Sequence, residues 1–263
     1  MRLDHVVLGV RDLDAGRLAL VRSGFHVADG GQHVGRGTAN ELVRLDTGYL
    51  ELLTVEDRSL ALAAGGSRRQ AAEFLDAHAS GLLGYALEVK DLEAAATRLQ
   101  AAGIATSGPH AMKRRQPDGR AVSWRTVLID DNQWLSPHPF LIEWDATEDV
   151  RWQGARSDHP NGVERVTGVR ATTGDLARSL DVLHALGGET RERDDYHARV
   201  SLADVDVKLL AHDGDLGDPG HVTAVTLEVA SASGAGPQPL SDALLGTYFE
   251  LAAGVSPGET KQP

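Results

Sequence analysis

Three side chains stand where their chemistry is out of keeping with their surroundings: His5 in the run LDHVVLGV, Glu51 in YLELL and Glu143 in FLIEW. Each lies in a short apolar stretch, the pattern of a mostly buried strand. A carboxylate turned inward from such a strand needs a cation, a metal ion or a proton, because burying it alone is costly. The alternative for both glutamates is the solvent side of the sheet. A second histidine, His33, lies in the glycine-rich segment GGQHVGRGTAN, residues Gly30 to Asn40. It reads either as part of a surface loop or as a general base, a ligand or a substrate contact. Thr38 and Asn40 in the same segment can bond substrate oxygens or simply close the turn. Arg125, next to Trp124, is a candidate anchor for a carboxylate or phosphate, which Arg binds with two hydrogen bonds. Trp134 and Trp144 either wall an apolar pocket or pack in the core. The basic run around Lys113, Arg114, Arg115 and Arg120 reads as a solvated loop or as a lid that attracts an anion. The glycines do not make a phosphate-binding P-loop, since no helix and no Lys-Ser/Thr pair follows them.

These residues are positioned by a repeated unit. The stretch LDHVVLGVRDLDAG (Leu3 to Gly16) returns as LGYALEVKDLEAA (Leu83 to Ala95) and more loosely as VERVTGVRATTGDLA (Val163 to Ala177). Each reads as a strand opening into a helix. Asp12 or Asp14 caps the first helix and Asp91 the second, and Gly24, Gly103 and the Gly187-Gly188 pair stop the three helices. The first unit continues with a strand over Phe25 to Ala28, the irregular glycine-rich segment, and a strand pair over 41–45 and 48–55. An alanine-rich helical connector spans Arg58 to Ser80. The second unit runs through a polar basic stretch (Met112 to Arg120), a strand over 121–129, a loop over 130–139 and a strand over 140–144. Both have the order βαβββ.

A third unit begins at Val163. TYFEL (Thr247 to Leu251) resembles GYLEL and puts Glu250 where Glu51 stands, as the closing strand of a shortened fourth unit would. The expected fold class is therefore α+β, with paired βαβββ units forming cupped mixed β-sheets and a degenerate second pair. The expected boundaries are 1–146 for the first pair, 147–161 for a linker, 162–253 for the degenerate pair and 254–263 for a disordered tail.

Aligning the copies sharpens the candidates. Matching Val10 to Leu13 on Val89 to Leu92 sets His5 on Gly84, and matching the last strands sets Glu51 on Glu143. In the third copy Lys208 falls opposite Glu51. A cation cannot replace a metal-binding carboxylate, so that copy reads as structural or adapted to anions. His184, His197, His212 and His221 receive no role.

Composition narrows the classes of function. The chain has 263 residues, 41% hydrophobic composition, a formal charge of −12 and no cysteine. There is no basic footprint for nucleic acid, and no disulfide, thiol nucleophile or thiolate metal site is available. The chain enters a strand directly, without a signal-peptide pattern or a long apolar run. The expectation is a cytoplasmic protein with no membrane partner.

The motifs LDHVVLGVRDL, HVGRGTAN, GYLELL, GLLGYALEVKDL, RRQPDG with Ser123-Trp124-Arg125, and PFLIEWD resemble the vicinal oxygen chelate superfamily, and most closely its glyoxalase-like branch. The resemblance covers residues 1–146 and continues weakly beyond. It implies a half-open cup with metal ligands on the first and last strands of each unit. Carried over, His5, Glu51 and Glu143 match three ligand positions, with Gly84 at the fourth and His138 a rival for that place. The implied cofactor is a divalent metal: zinc, iron, manganese or nickel. The implied activity is a metal-dependent lyase, isomerase or dioxygenase acting on a small oxygen-rich molecule. In that reading Glu143 or His33 moves a proton, and Asn40, Trp124 and Arg125 bind substrate. The alternative is a metal-free protein of the same fold that sequesters a small drug-like ligand. Whether the cup forms within one chain or across a homodimer is left open.

Overall fold

The computed structural model describes residues 1–130, 134–152, 154–212, 220–229, 245 and 247–253. The first unit consists of β1 (Arg2–Val10), α1 (Leu13–Arg22), β2 (Ala28–His33), β3 (Thr38–Arg44) and β4 (Tyr49–Val55). Two helices follow, α2 (Arg58–Ala64) and α3 (Gly66–Ala77), parted at Gly65, whose φ of +67° breaks the helix expected to run through. The second unit is β5 (Ser80–Glu88), α4 (Leu92–Ala101), β6 (Thr106–Arg115), β7 (Ala121–Ile129) and β8 (Phe140–Trp144). After the short helix α5 (Glu148–Trp152) come β9 (Val163–Thr173), α6 (Leu176–Ala185), β10 (Glu189–Arg193), β11 (His197–Leu202), β12 (Val205–Ala211), β13 (Val222–Val229) and β14 (Tyr248–Ala253).

One device starts α1, α4 and α6. Asp12, Asp91 and Asp175 are their N-caps, each accepting from the backbone N–H three residues on, at 3.1, 2.8 and 2.9 Å. The repeat seen in sequence is thus a repeat of strand, cap and helix.

The first two units close into one barrel within a single chain, in the order β1-β4-β3-β2-β6-β7-β8-β5. β1 runs parallel to β4 and antiparallel to β5, and β5 runs parallel to β8. The cup closes where β2 meets β6, at Gln32↔Arg115 and His33↔Arg114. Two expectations change here. The glycine-rich segment is largely strand rather than loop, because its glycines allow close backbone approach: a side chain at Gly31 would run into the Arg115 carbonyl, and one at Gly30 into Asn40. The basic run from Met112 is likewise strand as far as Arg115, with its turn at Gln116–Gly119.

The second sheet has the order β10-β11-β12-β9-β13-β14. This repeats the barrel's β2-β3-β4-β1-β5-β8 with no β6 or β7 counterpart among the described residues. β13 and β14 pair in parallel, as β5 and β8 do. A continuous core joins the two sheets, from Leu3, Val6, Leu8 and Tyr85 to Val166, Val169, Leu183 and Leu227. Asp204 accepts the Leu3 N–H at 2.6 Å, and Arg178 on α6 pairs with Asp130 at 2.5 Å. The stretch expected as a linker contains α5, whose buried Arg151 reaches Asp4 in β1. Glu250 pairs with Arg170 and Lys208. Lys208 therefore meets a carboxylate on this sheet rather than replacing one. The expected tail 254–263 lies outside the described residues. Among the described residues no helix is long and apolar enough to cross a membrane.

Candidate active site inside the barrel

Side chains on the inner face of the barrel surround a cavity of about 320 Å³. Alternation places them there. His5 on β1, Asn40 on β3, and Tyr49 and Glu51 on β4 line one half. Trp124 and Thr126 on β7, and Phe140, Ile142 and Trp144 on β8, line the other.

Glu51 is the centre of the polar half and is only 5% exposed. Its Oε1 accepts from Asn40 Nδ2 at 2.6 Å. Its Oε2 lies 3.3 Å from His5 Nε2, and His33 Nε2 is 3.7 Å from Oε1. His5 stacks on Tyr49, with ring centroids 4.7 Å apart, and meets Phe140 edge-on. Its Nδ1 is 2.6 Å from Asp4 Oδ2. Asp4 Oδ1 also accepts from Trp144 Nε1 at 2.9 Å and Arg151 Nη1 at 3.2 Å. Burial pushes the Asp4 carboxyl up, but the hydrogen bond and charge of His5, the charge of Arg151 and the Trp144 N–H outweigh it and hold the group ionised. An ionised carboxylate only accepts, so His5 donates from Nδ1 to Asp4 and turns its Nε2 edge to Glu51.

His33 is held in the same manner, with Nδ1 2.9 Å from Thr38 Oγ1 and its ring edge-on to Trp124. Burial, followed by the positive charges of Arg68, Arg114, His5 and Arg36, lowers its pKa well below that of an ordinary histidine. It is neutral at neutral pH. Burial and the nearby carboxylates of Asp4 and Glu51 raise the Tyr49 phenol, which stays protonated.

Two more cations line the cavity: Arg114, from the run read as a solvated loop or an anion-attracting lid, and Arg68, which the sequence reading gave no role. Arg114 on β6 is 2% exposed and Arg68 on α3 is 7% exposed. The Arg68 guanidinium lies 4.5 Å from the ring centre of Trp134. Period-two alternation along Met112–Arg115 puts Met112 and Arg114 on the inner face, and that was the available signal for Arg114. For Arg68 it was the helical stripe Arg68, Ala71, Ala72 and Leu75, all of which are buried.

Of the residues singled out in sequence, His5, Glu51, His33, Asn40 and Trp124 come together here. Glu143 and Arg125 do not. They face outward as neighbours on β8 and β7, ion-paired to each other. Glu143 Oε2 also accepts the Leu92 N–H at the start of α4, at 2.9 Å, and Arg125 also binds Glu93. The inward residues of β8 are Phe140, Ile142 and Trp144; Val7 pairs with Glu51 and its counterpart Ala86 with Phe140, so setting Glu51 on Glu143 was off by an odd number of residues, which changes the face. At Gly84 a Cβ would come within 3.1 Å of Trp134, which occupies that space. His138 lies 3.2 Å from Ser179 Oγ on α6, and it does not line the cavity. The His5–Glu51–Glu143 metal centre is therefore not assembled. Among the described residues no group of three or more His, Asp or Glu is arranged to hold a metal ion. The side chains around Glu51 do not fit the implied cofactor, and two buried guanidiniums stand beside them.

A barrel of two βαβββ units, enclosing a histidine from its first strand and a glutamate from its fourth, is the architecture of the vicinal oxygen chelate superfamily. A sequence profile described as a glyoxalase-like domain matches residues 3–187, and the chain belongs to that family. A hypothetical protein from Staphylococcus aureus has a similar structure, with a TM-score of 0.76 at 20% identity over 96% of this chain and 99% of that one. An extradiol ring-cleaving dioxygenase from B. fuscum matches with a TM-score of 0.52 at 17% identity, over 87% of this chain and 57% of that one. A variant of 4-hydroxymandelate synthase from Streptomyces coelicolor matches with a TM-score of 0.50 at 14% identity, over 87% of this chain and 71% of that one. At these identities the likeness is one of fold. No curated protein sequence matches the chain.

Proposed function

We propose that this protein is an enzyme of the lyase or isomerase type that moves a proton on a small oxygen-rich molecule held inside the barrel. The observation that carries this reading is the Glu51 carboxylate, buried at the cavity wall with His5 Nε2 3.3 Å away and Asn40 fixing its other oxygen. Glu51 is the base. It takes a proton from carbon next to a carbonyl, and the C–H electron pair moves onto the carbonyl oxygen. Asn40 holds Oε1, which leaves Oε2 to react. Glu51 keeps the proton and returns it to carbon, and His5, anchored by Asp4 at Nδ1, holds Oε2 in place from 3.3 Å. The positive field of Arg36, Arg68 and Arg114 opposes the growing negative charge on substrate at little reorganisation cost. The step is redox-neutral and consumes no co-reactant. No step is assigned to a divalent metal.

The test is solvent-deuterium incorporation into a panel of small oxo- and hydroxyacids and their uncharged amides, followed by NMR. Wild-type protein exchanges the C–H of at least one compound, and Glu51→Gln slows that exchange by about 10²- to 10⁴-fold. Exchange equally fast in Glu51→Gln would remove Glu51 as the base. A second reading, ligand sequestration, is favoured by the aromatic wall of Trp124, Trp134, Phe140 and Trp144. It predicts tight binding with no exchange.

A further inference from the structure

The chamber is lined by more positive than negative charge, in a chain whose formal charge is −12. Arg36, Arg68 and Arg114 face it, and Glu51 is the one Asp or Glu among the described lining residues. Most buried or half-buried arginines here are paired: Arg2 with Glu88, Arg17 with Glu41, Arg151 with Asp4, Arg178 with Asp130. Arg68 and Arg114 are more deeply buried than most of these, and among the described residues neither has a carboxylate within 4 Å of its guanidinium. Arg68 Nε and Nη1 and Arg114 Nε are buried and reach no hydrogen-bond partner. A buried guanidinium with idle N–H groups is an incomplete arrangement, because it gives up water without gaining an acceptor.

We propose that Arg68 and Arg114 form an oxyanion-binding subsite, so that the molecule taken into the barrel is a small organic anion, a carboxylate or phosphate on an apolar body. The anionic group completes the two guanidiniums, for which Arg's planar fork is suited. The apolar body lies against Trp124, Trp134, Phe140 and Trp144, which gather on that side of the cavity. The electrostatic character of the two groups agrees with this. Burial lowers the Arg68 guanidinium to about 10 and lowers Arg114 in the same direction, and the more distant Glu51 charge, which acts the other way on both, does not offset it. A cavity of about 320 Å³ admits one compact molecule of this kind. The inference names the substrate class for the proton-transfer reading and rests on it only for the word substrate, since the binding site stands without the chemistry.

The experiment uses the full chain with benzoate, its uncharged counterpart benzamide, phenyl phosphate and inorganic phosphate, followed by calorimetric titration and thermal melting. Benzoate, phenyl phosphate or both bind and raise Tm, whereas benzamide binds at least about tenfold more weakly. Arg68→Met and Arg114→Met each weaken anion binding at least about tenfold, while the Tm of the ligand-free protein holds or rises, because an unpaired buried charge has been removed. A merely structural role predicts the opposite change in Tm. Equal binding of benzoate and benzamide to wild-type protein overturns the proposal without any variant. So does failure of both organic anions to shift Tm at millimolar concentration, or unchanged benzoate affinity in the two variants. Inorganic phosphate binding as tightly as phenyl phosphate would overturn the apolar-body part. In Glu51→Gln, anion binding persists while deuterium exchange is lost. Anion binding without exchange in wild type would sink the proton-transfer reading and leave this one standing, and exchange confined to neutral compounds would do the reverse.

Discussion

At the scale of single residues, the barrel interior works by giving each polar group a fixed partner or a reason to stay unpaired. His33 shows the consequence most directly. The unfolded chain binds a proton on this imidazole near the ordinary value of about 6.5. In the folded protein, burial and the arginine charges keep it neutral well below that. As pH falls through about 6.5 the unfolded state takes up a proton that the native state refuses, so stability declines, at up to about 1.4 kcal/mol per pH unit for this group. Above that pH the effect vanishes. Replacement His33→Gln should flatten the acid side of the curve between about pH 6.5 and about pH 5. Urea unfolding at a series of pH values checks this, and a variant with the same slope as wild type would show that another group is responsible.

At the scale of elements, the second unit uses its glutamate differently from the first. Glu51 turns into the barrel, while Glu143 turns out and serves the start of α4, where its carboxylate accepts the Leu92 N–H and pairs with Arg125. Anionic groups at helix N-termini stabilise them through the exposed N–H groups and the helix dipole. Glu143→Ala should therefore cost about 0.5–2 kcal/mol of stability. It should leave deuterium exchange, anion binding and any metal content of the purified protein unchanged. Denaturant titration beside the exchange assay measures both, and loss of exchange in a stable Glu143→Ala protein would return this residue to the active site. The β2–β6 seam is the other element-level feature. The chamber is enclosed because Gly31 lets Arg115 approach, which in turn sets Arg114 opposite His33.

At the scale of the whole molecule, the barrel and the second sheet share one apolar core, so exposing either would uncover the face of the other. Burial of side chains such as Val6, Leu8, Val169 and Leu183 contributes about 1.5–3 kcal/mol each, more than any one hydrogen bond across the junction. The two layers should unfold together. The four tryptophans lie at 124, 134, 144 and 152, all in or against the barrel, whereas strand signal in circular dichroism comes from both sheets. Fluorescence and circular dichroism should give coincident urea transitions. A fluorescence transition displaced from the dichroism transition would show that the barrel unfolds on its own.

Much of this architecture is written locally. The βαβββ repeat, the Asp caps and the glycine stops follow from hydrophobic alternation and short-range hydrogen bonds, and they act within a few residues. His5 and Glu51 were legible for the same reason, being polar groups in apolar strands. Glu143 was misplaced because strand facing has a period of two, and two strands of similar sequence can differ in register by an odd number of residues. Arg114 read as part of a solvated loop or an anion-attracting lid and Arg68 had no reading, since nothing near them in the chain says what will cover them. That was decided when β6 closed against β2 and α3 docked across the barrel, contacts between residues tens of positions apart. The amino-acid sequence alone pointed to the repeated unit and to four polar members of the site, His5, His33, Asn40 and Glu51. The tertiary structure decided that the site is enclosed, that its second carboxylate lies outside it, and that two unpaired guanidiniums lie within it, because facing and burial are set by the closing of the barrel and not by any local stretch.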